Sequence, residues 1–227
     1  MLAERRTLLA ALFDAAGGRV ATVASDFSAA APSVFPEEEA LIADAAEARR
    51  VEFRIGRGCA HAALGALGVP ALPVLRGTRR EPLWPVGIVG SITHTTGFCA
   101  AAVAHTQDYR ALGLDAELDQ RVADDFVRRV CSPSEIARCA ELGPIEHLAN
   151  VVFSAKEAVH KLQYPLSGQV LYWRDLEVLL DPPHASPGTF RTRFLNPSGP
   201  FRAGALLEGR WLREAGLILT GSTLATD

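Results

Sequence analysis

Two long helical patterns, one in each half of the chain, constrain what this sequence can build. The first starts at Pro36-Glu37-Glu38-Glu39, where proline suits the first turn and carboxylates suit the positive end of the helix. Its pattern runs to Leu67, with Gly68 as the stop, and Gly56 and Gly58 are the places where it can bend or split. Leu41, Ala45, Ala48, Cys59, Ala63 and Leu67 form its apolar side, and Arg50, Arg54, Arg57 and His61 line another. The second pattern covers about Ile145 to Gln163, with Leu148, Val152, Ala155, Val159 and Leu162 as a single apolar stripe. Tyr164-Pro165 ends it. Before it, Ser132-Pro133-Ser134-Glu135 is a capping box that opens a shorter helix, stopping near Gly143-Pro144.

Short strand patterns fill the rest. Residues 86–93 and 98–104 read as a hairpin turning at His94-Thr95-Thr96-Gly97, and residues 110–114 as a strand ending at Asp115. Residues 170–180, 189–195, 201–207 and 216–220 read as strands, with turns at Pro182-Pro183, Ser198-Gly199 and Ala215-Gly216. Each half then pairs a long helix with a small, mainly antiparallel sheet. The expected class is α+β, in two similar lobes.

Composition narrows the function. With 227 residues, 48% hydrophobic and 22% charged, the chain can bury a core without disulfide or metal staples. A formal charge of −3 argues against a whole-protein nucleic-acid surface. No run approaches the ~18 apolar residues of a membrane span. Glu4 and Asp14 interrupt the N-terminal apolar stretch, so it does not read as a signal peptide. The four cysteines form no C-x-x-C pair, and Cys59 and Cys99 read as buried hydrophobes. The expectation is a soluble, reduced, cytoplasmic protein.

The residues able to carry chemistry are few. Asp115-Ala116-Glu117 follows an apolar strand, and alternate residues of an extended chain point the same way, which suits a hard cation. A solvated acidic turn is the plainer reading of so short a motif. Only two of the 23 basic residues are lysine, Lys156 and Lys161, and both lie in Phe153-Ser154-Ala155-Lys156-Glu157-Ala158-Val159-His160-Lys161. On a helix Glu157 and Lys161 are neighbours four apart, as are Lys156 and His160. A compact ammonium is suited to a phosphate whose charge shifts during reaction, whereas a generic surface cation in this chain would be arginine. Arg50, Arg54 and Arg57 form a basic stripe, and Arg76, Arg79 and Arg80 a basic loop. Each is either a solvated face or a phosphate cradle. His94, beside Thr93, is either exposed or a phosphate donor. The other histidines show no metal-ligand spacing, and the chain has no P-loop, G-x-G-x-x-G or G-x-S-x-G.

Taken in order, RRVEFRIGRGCAHAALGALG, EPLWPVGIVGSITHTTGFCAAAVA, ALGLDAE and FSAKEAVHKLQYPL resemble the 4′-phosphopantetheinyl transferase superfamily. The longer, monomeric type associated with siderophore, nonribosomal-peptide and polyketide synthesis is the nearest likeness. The match spans residues 49–166, and G-x-D-x-E followed by [WF]-x-x-K-E-A-x-x-K is the specific combination. The resemblance implies transfer of 4′-phosphopantetheine from coenzyme A to a serine of an apo acyl, peptidyl or aryl carrier protein. Adenosine 3′,5′-bisphosphate would leave. It implies Mg²⁺, with Mn²⁺ the alternative, on Asp115, Glu117 and Glu157, and either Glu157 or a metal-associated water as the base. Lys161 is implied at the departing phosphate and Lys156 at the pyrophosphate. Arg50, Arg57, Arg76, Thr93 and His94 match positions contacting coenzyme A. Ala116 stands where some relatives carry another carboxylate, and Arg76 where they often have lysine. The implied fold is two pseudo-symmetric lobes, 1–115 binding coenzyme A and 116–227 carrying the catalytic helix and carrier contacts, with the site in the cleft. Two other classes stay open on the residues alone: a non-catalytic coenzyme A or carrier-protein binder, and a metal-dependent phosphoesterase.

Overall fold

A computed structural model describes residues 9–13, 19–27, 31–181 and 186–226. The readings at Glu4, at Asp14 and at the Pro182-Pro183 turn lie outside the described residues. The fold is mixed α+β with mainly antiparallel sheets. Packing divides the chain into two compact units, Met1–Leu112 with Ala225–Asp227, and Gly113–Leu224.

In the first unit, β1 (Val20–Ser25), β4 (Ile88–Thr95) and β5 (Phe98–His105) form an antiparallel sheet in the order β1-β5-β4. The central strand β5 is buried from Phe98 to Ala104, so it reads as a continuous apolar run rather than an alternation. Helix α2 (Glu47–Ala66) lays Ile55, Cys59, Ala60, Ala63 and Leu64 into the core with Cys99, Ala101 and Val103. A Cβ on Gly56 would lie 3.4 Å from Ile92 and 3.6 Å from the Cys99 sulfur, so this glycine is a packing position and the helix runs through it. The break comes earlier. Helix α1 (Pro36–Ala40) stops, and extended backbone at Ala46 precedes α2. Helix α1 is anchored by Glu38, fully buried, which accepts hydrogen bonds from the Phe35 and Val74 backbone N–H groups at 3.0 and 2.7 Å and contacts His61 at 2.9 Å. The short strands β2 (Leu75–Arg76) and β3 (Pro82–Leu83) pair with each other. In the β4–β5 hairpin Thr95 pairs with Phe98, so Thr96-Gly97 is the turn, with Gly97 at φ 69°. His94 therefore belongs to β4 and not to the turn where the sequence placed it.

The second unit is built on a five-stranded sheet in the order β6 (Tyr109–Leu118), β10 (Leu217–Ala225), β9 (Leu206–Glu214), β8 (Gly188–Phe194), β7 (Leu176–Leu180). Strand β6 runs on past Asp115 and Glu117 rather than ending at Asp115. Helices α3 (Asp124–Val130), α4 (Pro133–Ala140) and α5 (Ile145–Ser167) follow, then a single 3₁₀ turn at Trp173–Asp175. Strands β7, β8, β9 and β10 complete it. The strand expected over 201–207 starts only at Leu206, because Gly199 and Gly204 at φ 52° and 82° turn the chain twice first. Helix α5 outlasts Tyr164-Pro165 by holding proline in its last turn and closing on left-handed Gly168, whose N–H donates to the Tyr164 carbonyl at 2.8 Å.

One glycine sets how closely α5 lies on β6. A Cβ at Gly113 would collide with the Ala158 carbonyl oxygen and lie 3.0 Å from the Leu162 nitrogen. Gly113→Ala must therefore lift the helix or twist the strand, at about 1–3 kcal/mol, the usual cost of overpacking. Urea unfolding monitored by far-UV circular dichroism checks this; a loss below about 0.5 kcal/mol would mean that the contact yields freely.

Candidate functional site

In the second unit, strand β6 and helix α5 bring Asp115, Glu117, Glu157 and Lys161 into one electrostatic cluster. Asp115 is buried, and each of its oxygens has a donor: Lys161 Nζ reaches Oδ1 at 2.7 Å and Ser154 Oγ reaches Oδ2 at 2.8 Å. Thr220 on β10 lies 2.9 Å from Ser154 Oγ and donates to the Ser154 carbonyl, which fixes that serine. Lys161 also donates to the Leu114 carbonyl at 3.1 Å. One turn earlier on α5, Glu157 Oε1 accepts the indole N–H of Trp173 at 2.8 Å. Burial, then the Asp115 and Glu157 charges, push the Glu117 carboxyl up to about 7, against an opposing pull from Lys161. Three anions thus share surroundings with one ammonium. Among the described residues no three His, Cys, Asp or Glu side chains form a ready-made metal cage.

Lys156 is not part of that cluster. Only 1% exposed, it spends its three N–H bonds on the Val130 carbonyl at 2.9 Å, Glu135 Oε2 at 2.9 Å and the Trp173 carbonyl at 2.8 Å. Helical spacing puts it on the opposite flank from Lys161, facing α3, α4 and the 3₁₀ turn.

In the first unit the basic stripe resolves into two groups. Arg50 and Arg54 are both held by Glu39, Arg50 at 2.9 Å, with Glu47 beside them at 3.8 and 3.6 Å. Arg49 instead donates to His94 Nε2 at 3.0 Å and to Glu52 at 3.1 Å. Arg57 is buried, donates to the Leu75 carbonyl at 3.2 Å and lies over the Phe53 ring. Its own burial first, then the Arg76 and Arg49 charges, bring its guanidinium down to about 10, with Glu38 pulling the other way. Its buried Nε has no hydrogen-bond partner. Arg49 and Arg76 therefore both repel Arg57, with His94 against Arg49 and buried Thr93 preceding His94 on β4. Such a group is stabilised by an anion.

The 4′-phosphopantetheinyl transferase N-terminal domain matches residues 37–104, and the 4′-phosphopantetheinyl transferase superfamily matches residues 111–203. The chain is 44% identical over 198 residues to the 4′-phosphopantetheinyl transferase Svp of Streptomyces mobaraensis, covering 85% of this chain and 79% of that protein. This chain belongs to the 4′-phosphopantetheinyl transferase superfamily. It is also 36% identical over 193 residues to the 4′-phosphopantetheinyl transferase PptT of Mycobacterium tuberculosis, covering 83% of this chain and 85% of that protein. With enterobactin synthase component D of Escherichia coli K12 the identity is 30% over 165 residues, 66% of this chain and 78% of that protein.

The carboxylate oxygens of Asp115, Glu117 and Glu157 are of the donor type that a hard cation takes, and their crowding shows in the Glu117 carboxyl, which is raised to about 7. Ser154, Thr220, Trp173 and Arg49 are not legible as site residues in the sequence. Ser154 and Trp173 show no spacing signal, since both reach the cluster through tertiary packing. Arg49 and Arg50 are adjacent, and only the helix phase tells which of the two meets His94.

The Glu117 shift makes a stability prediction for the metal-free protein. A carboxyl raised in the folded state holds a proton that the unfolded chain has released, so stability falls as pH rises from the ordinary carboxylate range through about 7. In EDTA, the thermal midpoint of Glu117→Gln relative to wild type should climb across that window. Parallel curves from pH 5 to 8 would show that Glu117 is not crowded.

Proposed function

We propose that the protein moves 4′-phosphopantetheine from coenzyme A to a serine hydroxyl of an apo acyl, peptidyl or aryl carrier protein, releasing adenosine 3′,5′-bisphosphate. The observation that carries this reading is the Asp115, Glu117, Glu157 and Lys161 cluster in a chain of this family. Asp115, Glu117 and Glu157 would hold Mg²⁺, with Mn²⁺ as the alternative, and the cation would neutralise charge on the pyrophosphate. Glu157, with Oε1 on Trp173, would take the serine proton, the alternative base being a metal-associated water. Lys161, which is 29% exposed, leaves Asp115 to meet the phosphate that departs. In this reading Arg49, Arg57, Arg76, Thr93 and His94 bind the coenzyme A phosphates. Arg50 is engaged by Glu39, and Lys156 by its own buried partners, so both are assigned to the fold.

The two units are read as the pseudo-symmetric lobes of the family, the first for coenzyme A and the second for catalysis and carrier contacts. A recurring device supports this. In each unit a proline-started short helix turns a buried glutamate, Glu38 or Glu135, back onto its own N-terminal N–H, onto the N–H of a strand residue or its approach, and onto a basic residue of the long helix. No helix among the described residues is long and apolar enough to cross a membrane. A monomer acting in the cytoplasm completes the proposal.

Intact-mass spectrometry of apo carrier domains with this protein, coenzyme A and Mg²⁺ tests it. One phosphopantetheine should be added, and EDTA should abolish the gain. Glu157→Gln should transfer at least about a hundredfold more slowly with unchanged circular dichroism. Near-normal transfer by that variant removes Glu157 from the chemistry. No gain on any carrier, with coenzyme A still bound, points to a binding protein instead.

A further inference from the structure

The catalytic reading gives Lys156 no part in the chemistry and Trp173 only a hydrogen bond to Glu157, yet the two are joined. The Lys156 ammonium holds the Trp173 carbonyl at 2.8 Å, and the Trp173 indole N–H holds Glu157 Oε1 at 2.8 Å. Lys156 is itself immobilised by Glu135 and the Val130 carbonyl, at 2.9 Å each. The indole is also braced sideways: its ring meets Phe153 edge-on with centroids 5.6 Å apart, and Phe153 meets Phe126 in the same way at 5.4 Å. Lys156 and Glu157 are adjacent on α5 and point to different sides, so the hydrogen bonds make a loop. It leaves the helix at Lys156, passes through the 3₁₀ turn, and returns at Glu157.

We infer that Trp173 is a positioning residue for Glu157 and that Lys156 sets Trp173 in place. This rests on the assignment of Glu157 above. Glutamate has three rotatable side-chain bonds and, at a half-buried position, would otherwise sample several rotamers. An indole donor fixed at its own backbone commits one oxygen and leaves the other in a single direction. An outer partner of this kind typically changes metal affinity or activity 10–100-fold when removed. It also accounts for a buried lysine in a chain whose basic residues, Lys161 apart, are otherwise all arginine. An ammonium gathers three acceptors around one point, whereas a planar guanidinium would push them apart.

Trp173→Phe removes the N–H and keeps the ring against Phe153. It should fold with an unchanged circular dichroism spectrum and lower kcat at least about tenfold while leaving KM for coenzyme A within about twofold. Without coenzyme A or carrier, its Mn²⁺ affinity, read by electron paramagnetic resonance, should fall by about tenfold. Lys156→Gln should reproduce the kcat loss, and the double variant should lose little more than either single one, because both act through one bond. Unchanged kcat and Mn²⁺ affinity in Trp173→Phe overturns the inference. A Lys156→Gln chain that fails to fold, or whose loss multiplies with that of Trp173→Phe, assigns Lys156 to the fold alone and overturns the relay. Glu157→Gln runs alongside as the separate control. If it stays active, the catalytic assignment has failed; if it is dead while Trp173→Phe is normal, only the positioning has.

Discussion

The buried Glu135–Lys156 pair is the constraint on which the second unit depends. Glu135 accepts from the Ser132 N–H at 2.7 Å, the Val178 N–H at 2.7 Å and the Lys156 ammonium at 2.9 Å. One carboxylate thus ties the start of α4, an inner position of β7 and the middle of α5. An ion pair this deep gains little over a well-packed apolar pair, but removing one partner typically costs about 3–5 kcal/mol. Its value lies in alignment: charge and donor count allow few other arrangements of these elements. Burial pushes the neighbouring Cys131 thiol up to about 12 and that of Cys139 to about 11, with Glu135 adding to both, so the thiols serve as apolar filling around the pair.

That framework also explains how the acidic cluster tolerates its own repulsion. Asp115 lies under α5 because Gly113 admits the helix, and there it accepts from Ser154 and Lys161. Lys161 offsets part of the negative charge, and Glu117 meets the remainder by holding its proton to about 7. Electrostatic strain is concentrated at the carboxylates and offset by hydrogen bonds that packing has already fixed. The first unit shows the opposite sign, with Arg57 brought down to about 10 by burial and two neighbouring arginines.

Much of this was legible in the residues. The α5 stripe, the Ser132–Glu135 capping box and the β4–β5 pairing are local patterns, and local patterns survive into structure. The acidic strand and the lysine helix are legible as candidate sites from residue type and spacing alone. What could not be read depends on contacts distant in sequence. The break between α1 and α2 answers to Glu38 reaching Val74 and His61, not to Gly56 and Gly58. The choice between Arg49 and Arg50 depends on which side of α2 meets β4. The resemblance implies a phosphate role for Lys156, which spacing along the helix leaves open, while its neighbours in space are two carbonyls and a carboxylate. Trp173 was passed over within a segment read as strand, and the single 3₁₀ turn that presents its indole has no pattern long enough to register.

The uneven use of the two lysines has a practical side. Both side-chain amines of this chain sit on one helix, one 1% exposed and the other 29% exposed. Amine acylation of the folded protein therefore has a single accessible side-chain target, placed among the carboxylates. The extent of labelling at that position becomes a chemical gauge of whether the cluster is open, needing neither an engineered probe nor a mutated surface.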